Sequence, residues 1–182
     1  MADIAPARIQ IQQEETAYRA AVSEATLSRV GAGINFVNTR QYDSRGFFLN
    51  GPYSTIGGAQ TGVDGAWALL FDVELVGVLM FNLVSGSSGT TTLDIRRFTA
   101  SNTPSSGSSI FSTKPAINST SPNNAYVFRD VLNSETLESA TGATVPVVST
   151  VNLNRGDLLT LNLDASMSGA ENCGVVLYYR PR

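Results

Sequence analysis

The chain of 182 residues and 19.3 kDa is sized for one large domain, or one domain with an appended arm. It holds no histidine and a single cysteine, which excludes Ser-His-Asp and Cys-His catalysis, histidine-ligated zinc and an internal disulfide. Twelve basic residues, of which only Lys114 is a lysine, stand against fifteen acidic ones, so the net charge of −3 supplies no basic field for nucleic acid or an anionic membrane.

Met1 to Arg8 carries no basic run followed by an apolar one, so no signal peptide is expected and synthesis in a cytoplasm follows. Ile9 to Val30 then concentrates Gln, Glu, Ala and Arg without an internal Gly or Pro, which is helix composition. Ile11, Tyr18, Val22 and Ala25 recur at spacings of seven, four and three, a thin stripe on a helix that Gly31 and Gly33 stop. Such a stripe fits either the helix's own domain or a neighbouring chain. Residues 1–33 are therefore expected to form an N-terminal α-helical arm, and 34–182 a β-sandwich domain.

After Gly33 short apolar or alternating runs are separated by turn residues, the pattern of an all-β domain. The expected strands are Ile34 to Asn38, Gly46 to Asn50, Ala66 to Phe71, Val73 to Val84, Thr91 to Thr99, Ser109 to Thr113, Ala125 to Arg129, Val145 to Leu153, Asp157 to Asp164 and Cys173 to Tyr179. Strict alternation over Val73 to Val84 places Val73, Leu75, Leu79, Phe81 and Leu83 on one face, with Glu74, Asn82, Val76, Val78 and Met80 on the other. Leu159, Leu161 and Leu163 point one way and Thr160 and Asn162 the other, the one-sided burial of an antiparallel sandwich. The expected topology is jelly-roll-like, with an immunoglobulin-like sandwich as the alternative. Ala100 to Ser108 and Ala116 to Asn124 read as solvated loops, and Asn133 to Gly142 as a short helix or an extended loop. The apolar stretch from Ala66 to Val84 is interrupted by Asp72 and Glu74 and is not read as a membrane span.

Few residues offer chemistry. Asp72 and Glu74 would share a strand face at a spacing that glycosidase acids use, although cross-strand pairing with the charges of the next strand, where Asp94 and Arg96 share a face and Arg97 lies opposite, is the ordinary role for such charges. Cys173, in an apolar run, reads as a buried, inert strand residue. Asn118-Ser-Thr120 matches a glycosylation acceptor by chance, and Asp64 and Asp157 lack the spacing of a calcium loop. No catalytic residue, metal or cofactor is assigned, and the chain is not read as an enzyme. Tyr42, Phe47, Phe48, Tyr53 and Trp67 are dense ahead of the longest strand and read as inter-sheet packing, with a sugar-stacking platform or a subunit contact as alternatives.

The order of parts carries a resemblance. A Gln/Glu/Ala-rich leader precedes Ser28-Arg-Val-Gly-Ala-Gly-Ile-Asn-Phe-Val-Asn38, Tyr42-Asp-Ser-Arg-Gly-Phe-Phe-Leu-Asn-Gly51 and Phe81-Asn-Leu-Val-Ser-Gly-Ser-Ser-Gly-Thr-Thr-Thr-Leu-Asp-Ile95. This arrangement resembles the structural proteins of tailed-bacteriophage virions. The resemblance implies a capsid decoration (cement) protein or a head- or tail-fibre knob, often homotrimeric, located in the virion after assembly in the host cytoplasm. It further implies partners among virion proteins such as the major capsid protein or tail components, and in the knob reading a host surface glycan. For decoration, Ile9, Ile11, Tyr18, Val22, Ala25 and Leu27 would be the side chains covered by capsid or sister subunits.

Overall fold

Apolar residues alternating with polar ones, cut by glycine, asparagine and serine turns, divide the chain into fourteen strands among the described residues. The computed structural model describes residues 42–52, 60–99 and 107–182, all within one compact unit, Tyr42–Arg182. The expected arm, the 33/34 boundary, the expected strand Ile34 to Asn38, Tyr53 and the six interface residues from Ile9 to Leu27 lie outside the described residues. In chain order the strands are β1 (Asp43–Pro52), β2 (Gln60–Ala68), β3 (Val73–Val84), β4 (Thr90–Phe98), β5 (Ser108–Ser109), β6 (Phe111–Thr113) and β7 (Ala116–Asn118). They continue with β8 (Ala125–Asp130), β9 (Glu135–Ser139), β10 (Ala143–Thr144), β11 (Val147–Val148), β12 (Asn152–Leu153), β13 (Leu158–Ala165) and β14 (Glu171–Pro181).

The described residues are all-β and every strand pairing is antiparallel. One sheet runs β1-β14-β3-β8-β9, with β12 also on β3, and the second runs β10-β7-β4-β13-β2, with β5 on β4. A small third sheet pairs β11 with β6. The inner faces of the two large sheets meet in one core, in which Phe47, Leu75, Met80, Leu93, Ile95, Leu159, Leu161 and Leu163 are all fully buried. Each large aliphatic or aromatic side chain so buried contributes about 1.5–3 kcal/mol. Cys173 sits in this core on β14, as its apolar setting predicts.

The structure corrects several sequence expectations. β3 does not alternate strictly: Gly77 faces Tyr178 and Leu75 faces Tyr179, so Val76 is an extra residue, a β-bulge. One inserted residue exchanges the two faces beyond it. Val78, Met80 and Asn82 consequently turn inward and are buried, while Leu79, Phe81 and Leu83, expected beside Val73 and Leu75, turn outward. Buried Asn82 donates from Nδ2 to the Val84 carbonyl at 2.7 Å.

Ala116 to Asn124 is not wholly a solvated loop, because Ala116 and Ile117 are buried and form β7 against β4. Asn133 to Gly142, expected as a short helix or an extended loop, instead holds the strand β9, whose five residues are all exposed at the sheet edge. Its entry turn is held by Asp130, which accepts from the Asn133 amide at 3.0 Å and from its Nδ2 at 2.8 Å. The expected strands 109–113 and 145–153 are each broken in two; at Ile110 the break buries the side chain and directs its carbonyl to the amides of Ser149 and Thr150. The expected strand 66–71 ends at Ala68, and Leu70 and Phe71 form an exposed turn.

Candidate assembly surface

The bulge in β3 gives the first sheet an outer face that is apolar where a solvated sandwich would be polar. Register aligns Phe48, Gly174, Phe81 and Tyr126 in one row across β1, β14, β3 and β8. The next row is Gly46, Val176, Leu79 and Phe128, and the third begins Ser44, Tyr178 and Gly77. Tyr42 remains 60% exposed, Phe48 46%, Leu83 44% and Tyr126 43%, with Phe81, Phe128 and Tyr178 half-buried beside them.

Glycines let the rings lie down on the sheet. A Cβ at Gly46 would overlap Phe48 Cζ, and one at Gly174 would meet the Phe47 carbonyl at 2.6 Å and Phe48 Cδ1 at 2.8 Å. Phe48 therefore covers backbone that any larger residue would lift it from, the packing by which an aromatic neighbour compensates a strand glycine. The Phe48 amide donates to Asp64 Oδ2 on β2 at 2.9 Å, which fixes the backbone that carries the ring. The rings meet at angles: Phe48 and Phe81 at 6.0 Å and 44°, Phe128 and Tyr178 at 5.4 Å and 40°, Tyr42 and Tyr178 at 6.1 Å and 76°. Such tilted and edge-on arrangements suit the aromatic quadrupole.

The outer face of the second sheet is built differently. Asp94 on β4 points away from the core yet is fully buried, accepting from Ser109 Oγ at 2.5 Å through Oδ1. Its Oδ2 faces Lys114 Nζ at 3.1 Å and Arg96 Nε at 3.3 Å, both ion pairs without hydrogen-bond geometry. Lys114 also donates to Asp164, and Arg96 Nη1 donates to the Gly107 carbonyl at 2.8 Å. The ammonium group thus occupies the gap between two carboxylates that a metal ion would need. Among the described residues no group of three or more His, Cys, Asp or Glu side chains could hold a metal.

These contacts carry a pH signature. Burial alone would lower the Lys114 pKa, but the hydrogen bond to Asp164 and the negative charges of Asp94 and Asp164 outweigh it and hold the group above its usual 10.5. Burial, with a hydrogen bond to Asp43 at 3.1 Å, raises the Tyr179 phenol above 10.0. Both groups keep their protons longer folded than unfolded, so their stabilisation is intact below about pH 10 and is lost as pH climbs through the folded values. The urea midpoint is expected to hold between about pH 7 and 9 and to fall above about pH 10; a flat or rising profile there would contradict these contacts.

The residues singled out from sequence are dispersed. Asp72 accepts the Arg155 amide at 2.8 Å, and Glu74 pairs with Arg180 at 2.6 Å, so neither makes the expected cross-strand pairing with the charges of β4. Arg97 pairs with Asp157 at 2.7 Å, and Asn118 Oδ1 accepts the Thr120 amide at 2.9 Å. The aromatic group divides: Phe47 belongs to the core, Trp67 packs on Tyr179 at 4.9 Å, and Tyr42 and Phe48 belong to the open face. Sequence reasoning missed Phe81, Phe128 and Tyr178 as surface residues and Asp94 as a buried one.

No family model matches this chain, and no curated protein does. Among solved structures the chain is similar to infectious bursal disease virus VP2 in its subviral particle, with a TM-score of 0.29 and 8% identity over 78% of this chain. It is similar also to a mutant VP2 of the same virus in derived T=1 particles, with a TM-score of 0.30, 8% identity and the same 78% coverage. The chain spans about a third of the length of those VP2 chains, 34% and 32%.

Proposed function

We propose that this chain is a structural protein of a virion, a jelly-roll module that reinforces a phage head as a decoration protein. The observation that carries the reading is the open aromatic face: half-exposed Tyr42, Phe48, Leu83 and Tyr126 gathered on one sheet make a contiguous apolar surface suited to contact with another protein. The strand orders β1-β14-β3-β8 and β7-β4-β13-β2 support the jelly-roll topology, in which two four-stranded sheets share the chain. The leading segment, with Ile9, Ile11, Tyr18, Val22, Ala25 and Leu27, is the part we assign to docking on the capsid. The fibre-knob alternative would place a glycan on the aromatic face, but rings inclined at 40° to 76° to one another do not form the flat platform that sugar rings stack on.

Mass spectrometry of purified virions tests the assignment, with binding of the full chain to capsids that lack it. The chain is expected in the virion, and replacing Ile11, Tyr18 and Val22 by aspartate is expected to weaken capsid binding by at least about 30-fold, the effect of losing a hot spot. Absence from virions, or unchanged capsid binding by the variant, would contradict it.

A further inference from the structure

We infer that the aromatic outer face of the β1-β14-β3-β8 sheet is covered by a second copy of this chain; this deepens the assembly reading by naming the occupant. Size is the first argument. Tyr42, Phe48, Leu83 and Tyr126 each keep 43% to 60% of their surface open. At about 200 Å² per large side chain, and with their half-buried neighbours, one face offers on the order of 500 Å². Two such faces bury about 1,000 Å² together, the area at which specific association begins.

The shape of the rim supplies the second argument. β9 forms one edge of the sheet, and Glu135 and Glu138 stand exposed on it. Charges on an edge strand oppose extension of the sheet by another strand. A second copy therefore reaches this sheet face-on, where the charged edge lies at the periphery and the centre is apolar. The third argument is relief. Rings inclined to one another at 40° to 76°, seated on strands whose glycines leave room for them, interlock with side chains of a like surface, as the two inner faces of the sandwich itself do.

The test is sedimentation of the full chain over a range of concentrations, comparing wild type with Phe48→Glu and Tyr126→Glu. Wild type is expected to associate, and each variant to associate at least about 30-fold more weakly, since each buries a lone charge at the centre of the contact. Both side chains point away from the core, so far-UV circular dichroism and the urea midpoint report whether the fold persists; Phe71→Glu, on an exposed turn, is the control that leaves association unchanged. A monomeric wild type, or variants that associate like wild type, would overturn the inference. So would retention on immobilised polysaccharide that the two substitutions abolish while association stays unchanged, because the face would then belong to a glycan. Absence of the chain from virions would defeat the virion reading and leave this result standing.

Discussion

Replacing Phe47 by alanine is expected to destabilise the sandwich by about 3–5 kcal/mol, whereas the same change at Phe48 costs only about 0.5–1.5 kcal/mol. The two side chains are sequence neighbours on one strand and leave it on opposite sides. Phe47 is fully buried between the sheets, where truncation leaves a cavity that close-packed neighbours cannot fill. Phe48 is half open to water and loses a tilted contact with Phe81 and its cover over Gly46 and Gly174. Urea denaturation of the two variants checks the contrast, and equal losses would mean that the outer face is in truth a second core. Phe48→Ala is also expected to impair association of the chain while leaving it folded, a separation of effects that Phe47→Ala cannot show.

Asp94→Ala is expected to cost about 2–4 kcal/mol, below the loss seen when fully buried pairs are broken because its cationic partners can regain water. Lys114 and Arg96 are 31% and 34% exposed against 0% for Asp94, so the carboxylate is the member that cannot be rehydrated. Lys114→Met should therefore cost less than Asp94→Ala, since Asp94 then keeps Arg96 and Ser109 while Asp164, at 29% exposure, turns to water. Asp94→Asn is expected between the two, retaining an acceptor for Ser109 without the charge. A double-mutant cycle on Asp94 and Lys114 measures the coupling directly. A Lys114 effect larger than that of Asp94 would show that the lysine, and not the buried carboxylate, organises the cluster.

Alternation made much of the sandwich legible. β13 is a plain case: Leu159, Leu161 and Leu163 fill the core as their spacing predicts, and β4, β8 and β14 fall within a residue or two of their expected ends. β3 was legible in extent and misread in direction, because a bulge at Val76 leaves no mark in composition and reverses every face after it. That reversal builds the candidate surface, so the surface could not be read where the strand could. β7 and β9 were missed for opposite reasons. Ile117 is flanked by Pro115 and by an asparagine- and serine-rich turn that read as loop, although the β4 partner strand gives it a ladder. β9 has no buried residue, so hydrophobic periodicity, the main sequence signal for a strand, is lacking there. Asp94 was indistinguishable from a solvated strand acid, since its burial depends on Ser109 and Lys114, fifteen and twenty residues away in sequence. The sole lysine stands out in composition, but its place between Asp94 and Asp164 is set by strands distant in sequence.

The central claim is that this sandwich works by having its aromatic face covered. Hydroxyl-radical footprinting of the full chain as its concentration is raised tests it most directly. Oxidation of Phe48 and Tyr126 is predicted to fall with concentration while oxidation of Phe71, on the exposed turn with Leu70, stays constant. Equal oxidation of Phe48 and Tyr126 at every concentration would contradict the account.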